Sequence, residues 1–336
     1  MSAVRQGLQN NNVTDRATNI ILSGWREGTS KQYTSYFIKW NKYCEQKGRG
    51  STVPDLHSVL DFLAELFEQG IGYSAINTAR SALSSMMSTM GQPAIGNHPL
   101  VCRFMRGVFN RKPSLPRYTS TWDASIVLKY LSDASKESLK DMTLQLATLL
   151  ALLSGRRVHF LNSMTVDERC IKFCGDKCII TVDALTKTTR PGHHVAPLSF
   201  LCYKTNPKLC IVCRLRHYLT TTESLRGSTN LFVSYIKPHK AVSGDTLGRW
   251  IKQTLAGAGV DITTFKAHST RSAASSAASR GGAPTDLILR SIGWTNAKTY
   301  AKFYDKPVYS SNTLHDFILN APSSSGVTQS GVPATD

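Results

Sequence analysis

Acidic residues are scarce in this chain. Only 22 of 336 residues are Asp or Glu, against 40 Lys and Arg, which leaves a formal net charge of +18 and a pI near 9.7. The deficit is uneven. No acid occurs from Gln69 to Trp122, from Ala184 to Thr222, or from Ile262 to Thr285. Arginines and lysines remain in each of those stretches. Segregated positive charge of this kind suits a polyanionic partner, whose phosphates would be tracked by bases left unneutralised.

Other absences narrow the field. Met1 to Arg16 is polar throughout and does not read as a secretory signal. The longest apolar run, around Leu144 to Leu153, is too short to cross a bilayer. The reading is therefore a soluble, intracellular chain with no membrane partner. No Gly-x-Ser-x-Gly elbow is present, which weighs against a serine hydrolase. No internal repeat appears. Eight cysteines without a secretory signal read as free thiols rather than disulfides. Cys170, Cys174 and Cys178, and the pair Cys210 and Cys213, have ligand-like spacing. The second pair lacks a Gly-rich knuckle and no His completes a set, so the expectation is no metal and no cofactor.

What is present divides in two. Tyr33, Phe37, Trp40 and Tyr43 recur at helical spacing in a first helix from about Thr29 to Gln46. Pro54-Asp55 opens a second, Ser74 a third, and Pro99 to Phe109 forms a fourth. Their aromatics and methionines read as core. Four short helices make a compact bundle over residues 29–112, preceded by a flexible segment, 1–28. Two prolines among bases make 113–121 a stiff linker. Residues 122–320 are mixed: helices at 123–132 and 139–153, strands at 178–182 and 195–198 joined by a turn at 186–194, then further helices. The Ser/Gly/Pro-rich residues 321–336 read as a disordered tail. The fold class is thus mainly α with a small β-sheet.

The most specific pattern is Ala267-His268-Ser269-Thr270-Arg271, followed by Gly293-Trp294-Thr295-Asn296 and Phe303-Tyr304. His and Arg three apart share one helix face. Attack on a phosphodiester needs preplaced cationic donors, a nucleophile and an acid for the leaving oxygen. Arginine's fork suits the donors, and a tyrosine ester would conserve the bond for rejoining.

These blocks resemble the tyrosine recombinases of the phage-integrase family. Ser154-Gly155-Arg156-Arg157 is similar to the family's first-arginine box, in a register that selects Arg157 over Arg156. Lys187 stands where the family keeps a lysine in a hairpin turn. The resemblance covers about Thr29 to Pro307. It implies a SAM-like core-binding domain followed by a catalytic domain. It also implies cleavage and rejoining of double-stranded DNA, a homo-tetramer on DNA, and a clamp between the domains. Arg157 and Arg271 would hold the phosphate, Lys187 would be the general acid, His268 would assist proton transfer and Trp294 would donate a hydrogen bond. The nucleophile would be Tyr304, chosen over Tyr300 and Tyr309. The family's usual spacing falls on Phe303, so Tyr304 requires one inserted residue. A second departure is Phe160, where the family commonly has a carboxylate. The expected DNA-contacting bases are Arg80, Arg103, Arg106, Arg111, Lys112, Arg117, Arg190 and Lys266. Gly293-Trp294-Thr295-Asn296 is similar to the Cre-like version of that segment, and details around Lys187 and Tyr304 resemble recombinases of eukaryotic mobile elements of the DIRS and Crypton types, which would put the protein in a nucleus. Two alternatives stay open: a domesticated DNA-binding protein without catalysis, and a type IB topoisomerase.

Overall fold

The computed structural model describes residues 2–49, 53–115, 118–135, 137–186, 189–192, 194–294 and 297–308. The chain forms two compact units, Met1–Pro116 and Arg117–Asp336.

The first unit is helical: α1 (Ser2–Asn10), α2 (Asp15–Ser23), α3 (Glu27–Gln46), α4 (Leu56–Glu68), α5 (Tyr73–Thr89) and α6 (Pro99–Arg111). The first two helices correct the expectation of a flexible start. Val4 and Leu8, one turn apart, are buried with the core residues of this unit, and Thr14 caps α2. The expected core is present. Trp40 is fully buried, with Phe62 edge-on at 5.3 Å, and Leu63, Ile76 and Leu83 fill the space around them. Asp55 and His98 cap α4 and α6 by accepting backbone N–H bonds.

The second unit is built around α8 (Leu139–Ser154), which buries nearly every side chain and packs against α10 (Ile211–Thr222), α11 (Gly244–Gly257) and α12 (Thr270–Arg280). Leu146, Leu149 and Leu150 are fully buried at its centre. The unit also contains α7 (Ala124–Asp133), which packs on α11 and α12, the short α9 (Val158–Asn162), and a three-stranded antiparallel sheet whose β3 meets α10. The strands are β1 (Ile171–Cys174), β2 (Lys177–Ile180) and β3 (Leu198–Leu201). α13 (Thr285–Ile292) and α14 (Ala297–Phe303) follow α12.

The sheet departs from the sequence reading in two ways. β1 pairs with β2 across a two-residue turn in which Gly175 has φ +58°, a conformation glycine adopts without strain. The last strand also starts at Leu198, where the expected one ended. Ile180 aligns with Ile171 on one side and Leu198 on the other, so one face of the sheet carries the buried residues. Among the described residues no helix is long and apolar enough to cross a membrane.

Candidate active site

Three segments of the second unit converge on one cleft. Its lining includes Arg156, Arg157, Phe160, Thr186, Arg271 and Gly293.

The first segment follows α8. Ser154 accepts the Arg156 N–H at 3.1 Å, which helps turn the chain so that Arg157 becomes the N-cap of α9. Arg157 is half-buried, whereas Arg156 is buried. The Arg156 guanidinium lies 5.1 Å from the Phe160 ring and donates to the Ala196 carbonyl at 3.4 Å. Burial, then the nearby Arg157 charge, pushes Arg156 down to about 10.

The second segment is the His–Arg box. Ala267–Ser269 forms one 3₁₀ turn that runs into α12. It is pinned by the Trp122 indole, which donates to the Ser269 hydroxyl at 2.8 Å, and by Thr270, which donates to the Ala267 carbonyl. His268 is exposed. Arg271 is only 1% exposed. Its Nη1 donates to the Gly155 carbonyl at 2.7 Å, while Nε and Nη2 are buried without a hydrogen bond of ordinary geometry among the described residues. Burial lowers Arg271 to about 10, followed by repulsion from Arg157; Tyr304 works in the opposite direction. Both groups stay charged at neutral pH. Among the described residues neither Arg156 nor Arg271 joins an ion pair. Buried cations without a carboxylate are costly, and an incoming anion would relieve that cost.

The third segment begins where α13 ends. Gly293 has φ +79°. A Cβ there would lie against the Arg156 guanidinium, so this turn requires glycine for conformation and for space. Trp294 follows, with its indole Nε1 buried and unpartnered. Its ring centroid lies 4.4 Å from that of Tyr304, and the Arg271 guanidinium sits 4.8 Å from the indole and 5.5 Å from the Tyr304 ring. The His268 ring is 6.3 Å from the Tyr304 ring. Tyr304 follows α14, and its carbonyl accepts from the Ser275 and Ser276 hydroxyls of α12 at 3.1 and 3.0 Å. Beyond it, Thr121 donates its N–H to the Pro307 carbonyl. The tyrosine is therefore held from both sides.

Arg157, His268, Arg271, Trp294 and Tyr304 thus share one neighbourhood. Tyr300 is 3% exposed and packed with Ile288, Ile292 and Trp294, a core position. Tyr309 and Lys187 lie outside the described residues. Thr186 and Thr189 are buried and bonded to each other, and Thr186 lines the cleft. The residue that sequence reasoning set aside is Arg156. Its only signal was the doubled arginine, since its contact with Gly293 spans more than a hundred residues.

The expected DNA-contacting bases behave unequally. Arg103 and Arg106 are exposed on α6, away from its buried Val101, Met105 and Val108. Arg190 and Lys266 are exposed too. Arg80 is half-buried and donates to the Gly96 carbonyl, so part of its role is internal. Lys112 donates to the Gly70 carbonyl beyond α4, and the Arg111 guanidinium covers Phe67. Arg117 lies outside the described residues.

The model of the phage integrase family matches residues 125–309, more than half of the chain. The chain belongs to the phage integrase family, the tyrosine recombinases that cut and rejoin DNA in site-specific recombination. No curated protein matches it by sequence. Among solved structures it is similar to a Tn1549 transposon integrase in complex with transposon right end DNA, at 13% identity over 95% of this chain and 96% of that one, with a TM-score of 0.58. It is also similar to the XerH site-specific recombinase bound to a palindromic difH substrate (14%, 82% and 76%, 0.57). A lambda integrase dimer bound to a COC′ core site is a third likeness (16%, 89% and 96%, 0.53). At these identities the likeness is one of fold.

Proposed function

We propose that this protein is an active recombinase that cleaves one DNA strand through Tyr304 and rejoins it to another. The observation that carries this reading is the convergence of unpartnered donors on the tyrosine. Two guanidinium nitrogens of Arg271 and the indole nitrogen of Trp294 are buried beside its ring with no hydrogen bond of ordinary geometry among the described residues. Donors placed in advance where charge develops are what phosphoryl transfer requires.

In this reading Arg157 and Arg271 hold the two non-bridging oxygens. The Tyr304 hydroxyl oxygen bonds to phosphorus as the bond to the 5′ oxygen breaks. His268 receives the phenol proton, and Lys187 gives a proton to the departing 5′ oxygen. The product is a 3′-phosphotyrosyl ester, which the 5′ hydroxyl of another strand reverses. Every charge in this scheme is met by a side chain, so the chemical step calls for no metal.

The partner is double-stranded DNA and the working assembly a homo-tetramer. Support comes from the acid-free stretches and from solved relatives of the same fold described as DNA-bound dimers and tetramers. A mobile element as the source fits the transposon integrase among those relatives. The DIRS- and Crypton-like details around Lys187 and Tyr304 refine that assignment. A second reading, a DNA-binding protein without catalysis, is favoured by one observation: Phe160 places a ring against Arg156 where the family commonly has a carboxylate.

A nicked suicide substrate separates the two. The wild-type protein should form a covalent adduct, and Tyr304→Phe should lose it while binding the same DNA. An adduct that survives in Tyr304→Phe moves the nucleophile elsewhere. No adduct in wild type, with binding intact, favours the silent reading.

A further inference from the structure

We propose that Cys202, Cys210 and Cys213 form a zinc site outside the recombination cleft. Spacing alone gave a lone pair at 210 and 213. The fold supplies the third thiol, because β3 ends at Leu201 and delivers Cys202 beside the start of α10. The three sulfurs lie within 4.8 Å of one another. The Cys202 sulfur is 3.6 Å from that of Cys210 and 3.9 Å from that of Cys213. Two thiolates bound tetrahedrally at a Zn–S distance of about 2.3 Å stand about 3.8 Å apart. The observed separations bracket that value.

The surroundings are built rather than accidental. Cys210 is fully buried at the N-cap of α10, and its sulfur accepts the backbone N–H of Tyr203 at 3.2 Å and of Cys213 at 3.4 Å. Such bonds orient a metal-bound sulfur and offset its charge. The intervening loop is braced: Asn206 donates to the Ser132 hydroxyl, Lys208 to the Ala134 carbonyl, and Gln145 to the Lys208 carbonyl. Cys202 and Cys213 are half-buried, so one side of the triad reaches solvent. Among the described residues no fourth His, Cys, Asp or Glu joins the group. A water molecule completes the tetrahedron. Three soft thiolates select a thiophilic ion, and zinc binds them without redox chemistry.

The site is separate from the cleft. Ala196, which accepts from Arg156, precedes β3, and Cys202 follows it; the four strand residues between span roughly 13 Å. Zinc here would tie β3 to α10, hence to the central helix α8.

The test uses full-length protein purified under reducing conditions, exchanged into zinc and then desalted. Elemental analysis should find one zinc per chain, and cobalt in its place should give thiolate charge-transfer and tetrahedral d–d absorption. Cys210→Ser keeps an N-capping side chain and should lose the metal. Cys202→Ser, at a half-buried position, should lose it with the helical circular dichroism unchanged, which guards against a folding defect at 210. Cys174→Ser, an exposed cysteine outside the triad, should retain it. Absence of zinc in reduced wild type, retention in Cys202→Ser, or loss in Cys174→Ser overturns the proposal. So does a Cys202–Cys210 disulfide that forms in the presence of reductant and zinc, seen as a mass lower by two hydrogens. Adduct formation on the suicide substrate is a separate measurement, so failure of one reading leaves the other standing.

Discussion

Two pairs of arginines, one in each unit, are placed in opposite ways. In the first unit, Arg103 and Arg106 stand in solvent on α6, where water screens them and the helix needs nothing from them. In the second, Arg156 and Arg271 are buried, have no acidic partner among the described residues and are pushed down to about 10. Exposed charge attracts a polyanion at long range and costs little. Buried, unpaired charge is destabilising until an anion arrives, and it persists only where something else holds it in place. Here the holders are the carbonyls of Gly155 and Ala196 and the rings of Phe160, Trp294 and Tyr304. In the proposed function, the contrast is between a surface that would gather DNA and a cleft that would act on one phosphate.

The largest break in that contrast should come at Arg271. Arg271→Ala should lower adduct formation on a suicide substrate by roughly 10³-fold, the scale of losing preplaced transition-state donors. DNA affinity, set mostly by exposed bases, should change less than tenfold. Arg271→Met should be equally inactive yet more stable in urea, because an apolar side chain of similar volume removes a buried charge, worth about 1–4 kcal/mol in comparable cases. If Arg271→Met is both inactive and strongly destabilised, the guanidinium is a structural strut and the contrast collapses.

A smaller effect should follow from Gly293→Ala. The new Cβ meets the Arg156 guanidinium, and φ +79° is unfavourable for alanine. Stability should fall by about 1–3 kcal/mol, measured by urea unfolding. Cleavage should fall with it while DNA binding holds, since Arg156 and the neighbouring Trp294 shift together. Unchanged cleavage would mean that Arg156 takes no part in shaping the cleft.

The same contrast explains what could be read from the chain alone. Helices α3 to α6 and α8 were legible because apolar periodicity and capping residues are local signals. The His268–Arg271 box and Trp294 were legible as a motif, and their meeting with Tyr304 was expected only through resemblance. Tyr300 is packed into the core while Tyr304 is half-buried, a difference no spacing rule contains. β1 was missed because Ile171–Cys174 is too short for alternation to register, and its pairing with β2 is what makes it a strand. The two N-terminal helices were missed because their inward residues are few and scattered through a polar segment: Val4 and Leu8 in α1, and Thr18 with the partly buried Leu22 in α2. The thiol triad was invisible for a different reason. Its third member is brought in by the end of a strand, and Cys210-x-x-Cys213 looks incomplete without it.

The smallest expected effect lies on the exposed side. Arg103 and Arg106 are three residues apart on one face of α6 and engage no described acid. If they touch phosphates, Arg103→Ala and Arg106→Ala should each weaken binding to any duplex about equally, with no preference for sequence. The slope of log affinity against log salt should shrink by about 0.9 for each phosphate no longer neutralised. Thermal stability should stay within about 0.5 kcal/mol of wild type, as for other exposed positions. Adduct yield at saturating DNA should be unchanged, because the cleft still holds its own donors. A double variant with an unchanged salt slope would remove α6 from the DNA-contacting surface and leave the acid-free stretches of the second unit to account for it.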